Sequence, residues 1–307
     1  MSTPIIEIRG LSVTYKTETR QRIEAVAGLD LTVNEGEVVG FIGPNGAGKT
    51  TTIKALMGFR SPTSGVATIF GLPAGSTEAR RRIGYLPEVA QYYPFLTARE
   101  TLRLYAELTD IPKQERDKVI SELIDTVRLI GRDREPLRGF SKGMLQRVGI
   151  AQAIMGSPDL LILDEVTSGL DPVARNHVRN ILLNFKQAGK TVFFSSHELT
   201  EVTQLCDRVI LIDGGKVIEN RSMDELRKLM RRYTVYTAPP AYTDQLPDGV
   251  RALGANNGHV RYAAPDKATC DGLVLKLNQL GARDVHVEAE TGSLEEYFVE
   301  TIGHKVS

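Results

Sequence analysis

Tryptophan is absent from the 307 residues, and Cys206 and Cys270 are the only thiols. Two cysteines are too few for a disulfide framework or a thiolate zinc site, and the cytosol is the expected compartment. Long apolar runs are missing too. Leu160–Leu163 and Val209–Ile212 fall far short of the ~20 residues that span a bilayer. Met1–Gly10 lacks the basic and apolar regions of a secretory signal. Nor is there an excess of charge of one sign. Lysine plus arginine number 38 and aspartate plus glutamate 38, a net charge of zero, so no bulk electrostatic grip on nucleic acid is expected. Hydrophobic residues make up 41%, enough to bury a core, which excludes disorder over most of the chain.

The apolar residues fall into two periods. Ile5–Arg9, Leu11–Tyr15 and Gly28–Val33 alternate as strands do, and Glu37–Ile42 reads as a strand buried on both faces. Thr51–Met57 has helical spacing, with Gly58 as its stop. Ser61–Gly65 reads as a turn. Thr97 with Glu100 makes a capping-box pattern, and Leu102, Tyr105, Ala106 and Leu108 continue the apolar face of the helix it opens. Val119, Leu123, Val127 and Ile130 repeat at helical spacing in a second helix. Strand 160–163, helix 172–188, strand 190–195, helix 198–206 and strand 208–213 follow. This alternation implies an α/β fold with a mostly parallel sheet covered on both faces. A helical subdomain at about 89–150 is inserted into a domain spanning 1–230. Residues 231–307 read as a small α+β appendage. Its strands lie near Thr234–Tyr236, Val260–Ala263 and Asp284–Glu288, and its helices at Ala268–Leu280 and Ser293–Thr301.

Gly43-Pro44-Asn45-Gly46-Ala47-Gly48-Lys49-Thr50 fits G-x-x-x-x-G-K-[ST] between a strand and a helix. Glycines let backbone N–H groups curl around phosphate oxygens, and the helix N-terminus adds its positive end. In such a loop Lys49 reaches the β- and γ-phosphates and Thr50 offers a hydroxyl to Mg²⁺. The apolar strand Leu160–Leu163 ends in Asp164-Glu165. Asp164 is placed to support Mg²⁺, and Glu165 to serve as the base for water. No Asn-Lys-x-Asp guanine-reading motif is present.

Phe140-Ser141-Lys142-Gly143-Met144, followed by Gln146-Arg147-Val148, resembles the signature of ABC-type ATPases, usually Leu-Ser-Gly-Gly-Gln. The Ser-Lys-Gly-Met form is similar to that of the ATPase subunits of bacterial ABC-2-type exporters. Ser141 also reads as the N-cap of the helix that follows, and one helix end can serve both purposes. Ser168-Gly169-Leu170-Asp171 resembles the family's D-loop, and His197 its switch histidine. Ser293-Leu294-Glu295-Glu296-Tyr297-Phe298 resembles the close of the exporter ATPases. Two positions depart from the family. Glu88 replaces a glutamine that contacts Mg²⁺ and water, and Val166 stands where proline follows the Asp-Glu pair.

The resemblance, over roughly 3–230, implies a P-loop NTPase fold, ATP and Mg²⁺, and a nucleotide site formed by Tyr15, Val26, Asn45, Gly46, Ala47, Gly48, Lys49, Thr50 and Thr51. It implies Glu165 and His197 as catalytic residues and Thr50, Glu88 and Asp164 around the metal. Ser141, Gly143 and Asp171 would act in trans, across a dimer of two such chains. The chain would sit at the cytoplasmic face of the cell membrane, peripheral through membrane-spanning permease subunits that ATP then drives. Tyr92, Tyr93, Phe95 and Leu96 are either anchors for that permease or the small core of the helical subdomain. A soluble ABC ATPase working on ribosomes or nucleic acid is the rival reading. It is disfavoured by the single cassette and by the lack of coiled-coil insertions and zinc cysteines.

Overall fold

The computed structural model describes residues 3–16, 20–109, 111–239, 241, 246–256 and 259–306. The chain divides into two compact units, Met1–Arg221 and Ser222–Ser307. The first opens with β1 (Pro4–Lys16), β2 (Arg22–Asn34) and β3 (Val38–Ile42), then α1 (Lys49–Leu56). β4 (Ser64–Ile69), β5 (Leu72–Pro73), α2 (Thr77–Arg81) and β6 (Ile83–Leu86) lead into the helices α3 (Ala98–Leu108), α4 (Arg116–Thr126) and α5 (Lys142–Ile154). β7 (Leu160–Asp164), α6 (Pro172–Gln187), β8 (Thr191–Ser196), α7 (Leu199–Leu205), β9 (Arg208–Asp213) and β10 (Lys216–Ser222) follow.

The strands form two sheets. β2-β1-β4-β5 is antiparallel throughout, and β10-β9-β3-β8-β7-β6 holds the parallel pairs β9/β3, β3/β8, β8/β7 and β7/β6. β3 and β7 are buried at every residue, as parallel strands covered on both faces must be. One continuous core joins Ile6, Leu11 and Leu31 of the antiparallel sheet to Phe41, Ile162 and Phe193 of the parallel one, with Ile53 and Leu56 of α1. The segment 64–69, read partly as a turn, is strand β4, paired with β1 from Ile6↔Ile69 to Ser12↔Ser64.

The helical subdomain departs from expectation in its faces. Thr97 does cap α3 in a capping box with Glu100, and Leu102 and Ala106 are fully buried. Leu108 is 76% exposed, because two residues beyond Ala106 a helix has turned ~200° away. On α4 the buried face is Ile120, Leu123 and Ile124, followed by Val127. Ile130 lies past the helix end, beyond a left-handed turn at Arg128, and is exposed.

The second unit holds α8 (Met223–Leu229), β11 (Arg231–Thr237), β12 (Arg251–Asn256), β13 (His259–Ala264), α9 (Lys267–Gln279), β14 (His286–Thr291) and α10 (Leu294–Val306). Its antiparallel sheet runs β12-β13-β11-β14. Tyr233, Val235, Val260 and Tyr262 pack against Cys270, Leu273 and Leu277 of α9. Cys270 and Cys206 are both buried, and Cys206 Sγ fills the space beside Gly40, 2.8 Å from where a Cβ there would sit. Among the described residues, no helix is long and apolar enough to cross a membrane.

Candidate functional site

The loop 43–48 leaves the C-terminal end of β3 and enters α1 at Lys49. Gly48 has φ 108°, and a Cβ there would stand 2.5 Å from the carbonyl oxygen of Ala25, so no side chain fits. No side chain caps α1. Its first N–H groups and positive end therefore face the loop, the arrangement that binds anions. Lys49 is buried, and its Nζ donates to Gly43 O at 2.7 Å and Pro44 O at 3.2 Å. The same Nζ lies 3.5 Å from Glu165 Oε1.

Neighbouring parallel strands bring the acidic pair to this loop. Thr50 Oγ1 donates to Asp164 Oδ1 at 3.2 Å, and Ser195 Oγ donates to the same oxygen at 2.6 Å. Glu165 leaves β7 with φ 52°, a region that non-glycine residues seldom occupy and that clusters at functional sites. Its N–H is held by Ser195 Oγ at 2.9 Å and Ser195 O at 3.2 Å. Its Oε2 lies 2.5 Å from His197 Nδ1, just past the end of β8. Burial pushes the Asp164 carboxyl above its usual range, and the Ser195 and Thr50 hydrogen bonds only partly offset this. The Tyr85 phenol is pushed up to about 12 by burial and by the Asp164 charge.

A cavity of about 560 Å³ is lined by residues 45–51 with Ala25, Glu88, Glu165, Ser168 and His197. A larger groove of about 850 Å³ runs past β6, α4 and the end of α5, but neither the 43–50 loop nor Asp164 and Glu165 face it. Val26 is not at the cavity. It is fully buried opposite Val13 in the sheet core, so the strand turns its neighbour Ala25 to the cavity instead. The pairing slips between Leu11↔Leu29 and Val13↔Val26, a bulge that strict alternation does not reveal. Tyr15 stands to one side, with its hydroxyl 3.4 Å from Thr51 Oγ1 and the Arg60 guanidinium 4.4 Å above its ring.

Beside Tyr15, Val26 and Asp164, which do not line the cavity, three further expected residues lie outside it. Ser141 caps α5 by accepting from Met144 N–H at 3.3 Å, and Gly143 follows in its first turn. Asp171 caps α6 by accepting from Ala174 N–H at 2.8 Å. Ser141 and Asp171 are both exposed. Ser195 is the residue that sequence reasoning missed. Its signal is a polar side chain at the end of the apolar run Val192–Phe194, at a strand end beside the acidic pair.

Residues 26–168 match the ABC transporter family. An uncharacterized ABC transporter ATP-binding protein of Synechocystis is 38% identical over 96% of this chain and 84% of its own length. The bacitracin transport ATP-binding protein of Bacillus licheniformis is 37% identical over 99% and 98%. Among solved structures, a dimeric ATP-binding cassette in a post-hydrolysis state with ADP and phosphate is 26% identical, with a TM-score of 0.66. That match covers 71% of this chain and 98% of the cassette. The chain belongs to the ABC transporter ATP-binding proteins, P-loop ATPases that couple ATP to transport.

Proposed function

We propose that this ATPase works as a pair of identical chains and drives an exporter permease from the cytoplasmic face of the membrane. The observation that carries the ATPase chemistry of this reading is the convergence of Lys49, Glu165 and His197 on the wall of one cavity at the start of α1. In this reading Lys49 and the loop N–H groups hold the phosphates. Glu165, oriented by His197, takes the proton of the attacking water. Tyr15 offers its ring to the adenine.

Thr50 Oγ1 and Asp164 Oδ1 lie 3.2 Å apart, and hard oxygen donors of this kind suit Mg²⁺. Thr50 and Asp164 would hold the ion, with Glu88 at the cavity wall, and the ion would neutralise phosphate charge. The N-terminus of α5, with Ser141 and Gly143, and the cap Asp171 would face the nucleotide of the second chain. A relative in Ralstonia nicotianae named as a Nod factor export ATP-binding protein, 34% identical, supports export, and a dimeric cassette neighbour supports pairing. Tyr93 and Phe95, 60% and 68% exposed with ring centres 5.7 Å apart, are the proposed permease anchors. Exposed aromatic pairs are the usual core of such contacts.

A mixed dimer tests the pairing. One chain carries Lys49→Ala and the other Gly143→Trp. In the facing arrangement one site bears both defects and the other bears none. Nucleotide trapping at one site per dimer is expected. Loss of trapping at both sites would remove independent completion in trans.

A further inference from the structure

Glu165 is held by more than its own strand. After it the chain turns tightly, with Ser168 N–H donating to Glu165 O at 3.1 Å and Leu170 N–H to Thr167 O at 3.2 Å. With Glu165 at φ 52°, the carboxylate direction depends on what fixes the peptides just beyond it. Upstream the anchor is Ser195, on the Glu165 N–H. Downstream the anchor comes from α5. Gln146 is 6% exposed, and its Nε2 donates to Val166 O at 2.9 Å in a buried hydrogen bond.

Two further contacts tie the same stretch to α5. A Cβ at Gly143 would lie 3.5 Å from Leu170 Cδ2, so that turn of the helix rests on Leu170. The Lys142 side chain lies across Gly169, where a Cβ would meet Nζ at 2.5 Å and Cε at 3.2 Å. Gly169 has φ +70°, a conformation that a residue with a side chain adopts only under strain, whereas the Lys142 side chain could swing aside.

We infer that Gln146 is a positioning residue for Glu165, and that the first turns of α5 and the stretch 165–171 form one mechanical piece. Gln146 does not line the cavity, and its hydrogen bond goes to the backbone beside Glu165. It acts through the Val166 carbonyl, one residue from the carboxylate. A buried amide donor aimed at a backbone carbonyl fixes that peptide plane, because the carbonyl has no water to turn to. The consequence for coupling rests on the dimeric reading above. A nucleotide of the second chain arriving at Ser141 and Gly143 meets the end of a piece whose other end carries Glu165.

The test is single-turnover ATP hydrolysis by the full chain carrying Gln146→Leu, alone and combined with Glu165→Gln, with ATP affinity and Tm measured alongside. A misplacement of about 1 Å costs up to ~10²-fold in rate. Gln146→Leu should therefore slow hydrolysis by ~10- to 100-fold and leave ATP affinity unchanged. In the Glu165→Gln background it should slow hydrolysis no further. An equal fold loss in both backgrounds, or no loss in either, overturns the inference. Should Gln146→Leu not fold, Gly169→Ala strains the same stretch from its exposed side, and the same non-additivity with Glu165→Gln is required. The underlying ATPase reading fails by a different result. In that case Glu165→Gln alone hydrolyses ATP at the wild-type rate.

Discussion

His197 Nδ1 lies 2.5 Å from Glu165 Oε2, while the other oxygen of that carboxylate faces Lys49 Nζ at 3.5 Å. One side chain thus spans the gap between the end of β8 and the phosphate loop. In the proposed mechanism the base for water stands beside the phosphates with a fixed direction, and Glu165 has one oxygen against His197 and the other facing Lys49 of the 43–50 loop.

Glu165→Gln keeps this shape and removes the base. Loss of a general base typically lowers rate by ~10²–10⁴-fold. ATP should still bind, and the ATP-bound dimer should accumulate. Steady-state phosphate release by the complex checks the first point and gel filtration with ATP the second. Near-normal hydrolysis would remove Glu165 from this role.

Ser195→Ala should cost both stability and rate. It takes the 2.6 Å donor from Asp164 Oδ1 and the side-chain acceptor from the Glu165 N–H. Each group keeps a second partner, Thr50 Oγ1 for Asp164 and Ser195 O for the Glu165 N–H, so the loss is that of the hydrogen bonds alone, ~0.5–1.5 kcal/mol each. Denaturant unfolding should show that loss, and hydrolysis should slow because Glu165 loses an upstream restraint. A variant as stable and active as the wild type would show that the Ser195 O contact suffices.

Asp164→Asn should raise the Tm of the nucleotide-free protein at neutral pH. The folded-state pKa of Asp164 is raised by burial, so the ionised form is penalised in the fold. Below the ordinary carboxylate pKa of ~3.9 both states are protonated and there is no penalty. As pH climbs from there through the raised value, the folded state keeps a proton that the unfolded state has lost, and stability falls. The variant escapes that fall. Its Tm gain of ~2–4 °C per kcal/mol should vanish in acid. Stabilisation by ATP with magnesium should disappear at the same time. A Tm that drops at neutral pH would contradict the sign.

The aromatic cluster after Glu88 should divide into two behaviours. Tyr92 is half-buried, its hydroxyl donates to Gln152 Oε1 at 3.2 Å, and burial pushes its phenol well up. Tyr92→Ala should therefore lower Tm. Tyr93→Ala and Phe95→Ala should leave Tm alone and reduce recovery of the permease complex, with ~2 kcal/mol or more lost per anchor. Full recovery with intact transport would end the anchor assignment.

The strand–loop–helix around Gly43–Thr50 was legible because its motif sets residue types at fixed spacing. The helix opened by Thr97 was legible because the capping box is a local signal, complete within four residues. What failed was what depends on packing from elsewhere. On α4 Leu123 is buried as expected, but Ile120 and Ile124 share its face while Val119 is half-buried, because apolar residues lie on both sides and only the facing helices choose. Val26 was misplaced by a bulge in β1/β2 pairing. β12 was not foreseen, since Arg251-Ala252-Leu253-Gly254-Ala255 has little intrinsic strand preference and is held by its partner β13. Ser195 was missed because its role needs two strands that are adjacent in space and distant in sequence.

The two cysteines, one in each compact unit, give the protein a built-in pair of clocks. Both thiols are buried, and burial pushes both toward the unreactive protonated form. An alkylating reagent can label Cys206 only when the β3–α7 packing around Gly40 parts, and Cys270 only when α9 lifts from its sheet. Mass spectrometry of the two peptides against time would therefore read the opening frequency of each unit in a single sample. No dye or engineered probe is required.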